Sequence, residues 1–167
     1  SLLNILHNII SQEFFDQIRT KEQLGYAVYS NMTKYGNDIE QPFTTYDYCI
    51  QSPTKDTKFL RDRTIEFIKD FRDILISKPN EFIDNIIKSQ IMQLETPLQN
   101  LKKETTYLFS TCISGCGGNF DIKRETIDYL KKVNKESLIN FYDTFFSLKD
   151  NTYWTMSLEN SKNIQKI

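Results

Sequence analysis

An α+β fold, a two-layer sandwich of a mainly antiparallel sheet against a layer of helices, is predicted by three observations. Apolar residues recur at three- and four-residue spacing over several long runs. Two stretches after Gly25, "YAVYSNM" and "FTTYDYCIQ", are rich in aromatic and β-branched residues instead. Near the end "NTYWTMSLE" alternates apolar with polar, the period of a strand. No internal period suggests a repeat architecture, and strands combined with a helical run point to two packed layers.

Taken in order, residues 2–19 place Leu2, Leu6, Ile9, Ile10, Phe14 and Ile18 on one face of an amphipathic helix. His7, the only histidine, lies among apolar neighbours and reads as a surface or satisfied structural side chain, not a metal ligand. The two β-type stretches are joined by the turn-like "KYGNDIEQP", as antiparallel strands with a longish loop. From Thr57 the helical period returns with Leu60, Phe67, Ile68, Phe71, Ile74 and Leu75. "SKPN" stops it, with Ser77 expected as an N-cap and Pro79 in the first turn of the next helix. That helix carries Phe82, Ile83, Ile86, Ile87, Ile91 and Leu94 and breaks at Thr96-Pro97. A further one follows on Leu101, Thr105, Leu108, Phe109 and Cys112, closed by Gly117 and Gly118. A short helix over Thr126–Lys132 precedes one capped by Asn134 and presenting Leu138, Phe141, Tyr142 and Phe145. The last strand puts Trp154, Met156 and Leu158 on one side. A three-stranded sheet is thin cover for so many helices and leaves unpaired edges, so further strands are expected to be missing.

Composition bounds the function. The 167 residues suit one domain, with 39% hydrophobic and 26% charged residues, the balance of a chain that folds. A net charge of -1, from 21 basic and 22 acidic residues, provides no global field for nucleic acid or an anionic membrane. No apolar run reaches the roughly 18 to 20 residues of a membrane span. The chain starts without Met, directly on a helical pattern, which suggests a piece of something longer. Cys49, Cys112 and Cys116 are odd in number and read as reduced thiols, suiting the cytoplasm. Cys112 and Cys116, four apart beside apolar neighbours, are expected as buried fillers.

Most catalytic templates are absent: there is no G-x-S-x-G, P-loop, dinucleotide fingerprint, H-x-x-E-H or H-E-x-x-H. "SGCGGNF" lacks a following Lys-Ser/Thr and reads as a turn, and the pairs Glu95 with Glu104 and Asp56 with Asp62 read as solvated carboxylates. The segment "RTKEQLGY" remains. It has a structural reading: Arg19 complements a helix C-terminus, Gly25 permits a turn and Tyr26 opens a strand. It also has a functional one, in which the Arg19 guanidinium and Tyr26 phenol converge on one acceptor and steady a developing oxyanion.

The stretch "FFDQIRTKEQLGYAVYS" resembles the R-T-x-E-Q-L-G-Y segment of the insulinase (pitrilysin) family of zinc metallopeptidases, in its insulin-degrading-enzyme branch. "CIQS", "LETP" and "GNFDIKRETIDYLKKVNKESLINFYDTFF" fall in the same order as in that branch, so the resemblance covers roughly residues 5 to 147. It implies that residues 1–167 form a single C-terminal domain, the last of four, truncated at its N-terminus. It further implies a clamshell enzyme whose N-terminal half holds an H-x-x-E-H zinc site, while the C-terminal half closes over an enclosed peptide. Carried over, Tyr26 donates to the oxyanion and Arg19 holds the substrate backbone, with peptide substrates and the N-terminal half of the same enzyme as partners. This chain has no H-x-x-E-H, so by itself it is expected to hold no metal and to be inactive. The alternative is a metal-free relative acting in assembly or peptide binding, although an inert partner has no need of an oxyanion donor.

Overall fold

The computed structural model describes residues 2–35, 43–113, 119–146, 148 and 153–158. Helix α1, Leu2–Phe14, runs without a break into a π-helical turn, Phe15–Lys21. Strands β1, Ala27–Tyr35, and β2, Phe43–Gln51, pair antiparallel, with Ala27 opposite Gln51 and Tyr35 opposite Phe43. Five helices follow: α2 Thr57–Ser77, α3 Asn80–Glu95, α4 Leu101–Ile113, α5 Ile122–Leu130 and α6 Lys135–Phe145. The α+β reading therefore holds, with helices covering one face of a hairpin.

Strand alternation sorts the two faces. Val28 and Ser30 on β1, with Tyr46, Tyr48 and Ile50 on β2, turn toward the helices, and Tyr29, Asn31, Phe43 and Asp47 remain exposed on the other side. The core joins Ile5, Leu6, Ile9, Ile10, Phe14 and Ile18 to Phe67, Phe71 and Leu75 of α2 and to Ile83, Leu130 and Leu138. Edge-to-face aromatic contacts connect the layers: the Phe14 ring lies 4.9 Å from Tyr48 and 5.1 Å from Phe67. Arg72 of α2 donates to both oxygens of Asp143 on α6, at 2.7 and 3.0 Å, and Lys135 donates to the carbonyls of Ile76, in the last turn of α2, and of Lys78, its C-cap.

His7 is the satisfied structural histidine the sequence suggested. Its Nδ1 lies 3.0 Å from the Tyr46 hydroxyl, which also meets Ser30 Oγ at 3.0 Å. Burial holds the His7 pKa below its ordinary value of 6.5 and pushes the Tyr46 hydroxyl up to about 12. An imidazole that protonates less readily folded than unfolded gives stability that is fully present above about pH 6.5 and is lost as pH falls below it. The urea midpoint is expected to drop between about pH 7.5 and pH 5.5, and to drop less in His7→Gln, since glutamine does not titrate. Equal pH slopes in the two proteins would remove His7 from this role.

Four expectations are corrected. Tyr153–Leu158 forms no strand: Trp154, Met156 and Leu158 are 92%, 88% and 85% exposed, because alternation needs a neighbouring backbone before it becomes a strand. Helix α4 forms, but Leu101, Leu108 and Phe109 are exposed on it, as is Cys112, expected as a buried filler. Ser77 ends α2, its hydroxyl donating to Ile74 O, and Pro79 precedes α3 without a side-chain cap. The short helix lies at Ile122–Leu130, earlier than Thr126–Lys132. Asn134 does cap α6, accepting from Ser137 N at 2.9 Å. Cys116, Gly117, Gly118 and most of the loop between the strands lie outside the described residues. Among the described residues no helix is long and apolar enough to cross a membrane.

Candidate functional site

The segment from Arg19 to Tyr26 is a hydrogen-bonded turn linking the π-helical turn to β1. Glu22 N–H donates to Gln17 O at 3.0 Å and Leu24 N–H to Ile18 O at 3.0 Å. Gln23, with φ of 52°, supplies the left-handed residue that lets the chain leave the helix. Leu24 is buried and Tyr26 N–H donates to Gln51 O at 3.0 Å, fixing the turn to the end of β2. Unlike the single α-helix expected over residues 2–19, the widened coil from Phe15 rotates the residues that follow; such coils recur at functional sites.

Gly25 was expected to permit a turn, but Gln23 makes the turn and Gly25 permits a close approach. A Cβ there would stand 2.7 Å from Gln51 O and 2.9 Å from Ile50 Cγ2. Because the nearer atom is backbone, Gly25→Ala is expected to cost about 1 to 3 kcal/mol of stability. It is also expected to displace Tyr26, the next residue. Unfolding that matches the glycine protein, read by chemical denaturation, would contradict this.

Glu22 is the site residue that the sequence reading missed. Its carboxylate accepts from Arg63 Nη2 at 2.6 Å, from Arg63 Nε at 2.9 Å to the second oxygen, and from Gln17 Nε2 at 2.6 Å. Arg63 beside it holds its carboxyl below the usual range, against the opposing effect of burial. The partners are 41 residues apart in the chain, and no local pattern announces the pair.

Arg19 is exposed on the π-helical turn and Tyr26 is 57% exposed just before β1. The two flank the bond between Leu24 and Ile18, and no hydrogen bond joins them to each other. Among the described residues neither side chain has a hydrogen-bond or ion-pair partner. Guanidinium and phenol both carry donor hydrogens near neutral pH, so both are available to an acceptor from outside. An open groove of about 320 Å³, lined by Ser11 and Gln12 of α1, Phe15 and Asp16 of the π-helical turn and Val28, Tyr29 and Ser30 of β1, lies nearby in the chain but is not lined by Arg19 or Tyr26.

The paired aspartates Asp56 and Asp62 have local partners. Asp56 caps α2 through Phe59 N at 2.7 Å, and Asp62 pairs with Arg61. Among the described residues no three His, Cys, Asp or Glu side chains are grouped as a metal ion requires, and the His7 ring is engaged by Tyr46. These residues do not fit a zinc centre.

The family model described as "PQQ synthase PqqF-like, C-terminal lobe domain 4" matches residues 5–109. The chain is 29% identical over 146 residues to the nardilysin-like protein of Arabidopsis thaliana, covering 87% of this chain and 14% of that one. It is 31% identical over 141 residues to human insulin-degrading enzyme, covering 84% of this chain and 13% of the enzyme. The crystal structure of pitrilysin shares the fold, with a TM-score of 0.68 and 24% identity over 84% of this chain and 14% of that chain. The chain thus spans only a small part of the relatives it matches.

Proposed function

Since the chain belongs to the insulinase (pitrilysin) family, matching domain 4 of its C-terminal lobe, we propose that it is the non-catalytic C-terminal portion of a zinc metalloendopeptidase. In this reading the domain closes the peptide chamber, and Arg19 and Tyr26 reach substrate bound to the N-terminal half of the same enzyme. The described residues group no metal site, and in this reading the zinc that would supply the hydrolytic chemistry is held by that other half. Arg19 donates to a backbone carbonyl of the peptide and orients it. The Tyr26 phenol donates to the scissile carbonyl oxygen as negative charge develops there, an interaction stronger in the transition state than in the ground state. Because the turn is already bonded at Leu24 and Tyr26, little reorganisation accompanies this donation.

One observation carries the reading: an arginine and a tyrosine stand exposed and, among the described residues, without a hydrogen-bond or ion-pair partner, at the ends of a turn that is itself held by backbone bonds. A helix-capping arginine and a strand-opening tyrosine alone do not call for so much support. Free thiols at Cys49 and Cys112 suit a reducing compartment such as the cytoplasm. The test is peptide cleavage by the full-length protein carrying Tyr26→Phe: a large fall in turnover is expected, and unchanged turnover contradicts the reading.

A further inference from the structure

We propose that Arg63, on α2, is a positioning residue for this site: through Glu22 it clasps the π-helical turn to the helical layer, so that Arg19 and Tyr26 are presented in one fixed arrangement. The inference rests on the role given above to those two side chains.

The geometry is that of a forked pair. Arg63 Nη2 and Nε approach Glu22 at 2.6 and 2.9 Å, a bidentate arrangement that fixes direction as well as distance. Gln17, one turn earlier in the π segment, adds its amide at 2.6 Å, and Lys21 Nζ lies 3.3 Å from the same Gln17 side chain. Glu22 is thus held from its own segment and from α2 together. Its backbone N–H closes the last π-helical bond, and the next residue, Gln23, takes the left-handed conformation. The pair therefore grips the chain where its direction changes, between Arg19 and Tyr26.

The pair is sheltered: the Arg63 and Glu22 side chains are 17% and 24% exposed. Arg63 Nη1 is buried without a hydrogen bond, with the Glu66 carboxylate 3.4 Å away. A guanidinium this constrained cannot swing away without leaving the sheltered Glu22 carboxylate with only the neutral Gln17 amide and no cation, so the clasp is stiff where an exposed pair would fluctuate. Lysine offers a point charge without the fork and replaces it only in part.

The experiment uses the full-length protein with Arg63→Ala, Arg63→Lys and Glu22→Gln. Amide exchange at Leu24 and Tyr26 is expected to accelerate on the order of tenfold in Arg63→Ala and Glu22→Gln, while Phe71, farther along α2, keeps its protection. Peptide kcat is expected to fall by a similar factor with KM changed less, and Arg63→Lys to recover part of it. Unchanged exchange at Leu24 and Tyr26, or equal loss of protection throughout α2 and the sheet, overturns the inference. Tyr26→Phe separates it from the reading beneath it. If Tyr26→Phe impairs cleavage and Arg63→Ala does not, the positioning role alone fails. If neither does, the accessory-donor reading fails and the positioning role goes with it.

Discussion

Tyr26→Phe in the full-length protein is expected to lower kcat/KM for peptide cleavage by about 10²- to 10³-fold, the usual effect of removing one preorganised donor from an oxyanion. The substitution deletes a single hydroxyl. Among the described residues that hydroxyl has no partner, and the side chain is 57% exposed, so its removal leaves none of their buried groups unsatisfied. Stability should therefore change by less than about 0.5 kcal/mol, as for surface substitutions generally. The combination of intact folding and impaired turnover separates a transition-state donor from a packing residue. Arg19→Lys is expected to be less severe than Arg19→Ala, because it keeps the charge and loses the planar fork. Steady-state kinetics with a thermal melt on each variant checks both statements.

Phe67→Ala is expected to destabilise the domain by about 3 to 5 kcal/mol. Phe67 is 1% exposed, and its ring meets Phe14 of α1, Tyr48 of β2 and Phe71 one turn along α2. Removing it opens a cavity where the two layers meet, and rings fixed on three different elements collapse into such a space poorly. The contrast with Arg63, one turn earlier on α2, is informative. Phe67→Ala should lower the unfolding free energy of the domain as a unit, whereas Arg63→Ala should loosen mainly the segment that carries Arg19 and Tyr26. Denaturant midpoints for the first and residue-resolved exchange for the second separate the two effects; a Phe67→Ala midpoint equal to the parent's would contradict the core described above.

Much of the fold was legible because burial follows period. The stripe Leu60, Phe67, Phe71 and Leu75 is the buried face of α2, and Ile83 and Ile87 are that of α3, as their spacing implies. Asn134 was legible because an N-cap is a local interaction. Period does not report partners, however. The stripe of α4 forms a helix yet leaves Leu101 and Phe109 exposed, and the alternation of Trp154, Met156 and Leu158 yields no strand among the described residues. The π-helical turn escaped notice because the change from an i+4 to an i+5 bond leaves no distinctive residue pattern. Arg19 and Tyr26 were legible as residues with donor groups, and resemblance singled them out. Glu22, in the same segment, was not, because its role depends on a contact with α2 that sequence spacing does not encode. The substitute roles of Gln23 and Gly25 were hidden for the same reason: both are set by where β2 ends.

The most direct test compares two affinities in the full-length protein, with Tyr26 and with Tyr26→Phe: one for a substrate peptide under non-cleaving conditions, the other for a tetrahedral mimic of the hydrolytic transition state. A donor that acts on the developing oxyanion should, when lost, weaken the mimic by about the same factor as kcat/KM while leaving peptide affinity nearly unchanged. Equal affinity of both proteins for the mimic would contradict the claim that this domain reaches across to the reacting carbonyl.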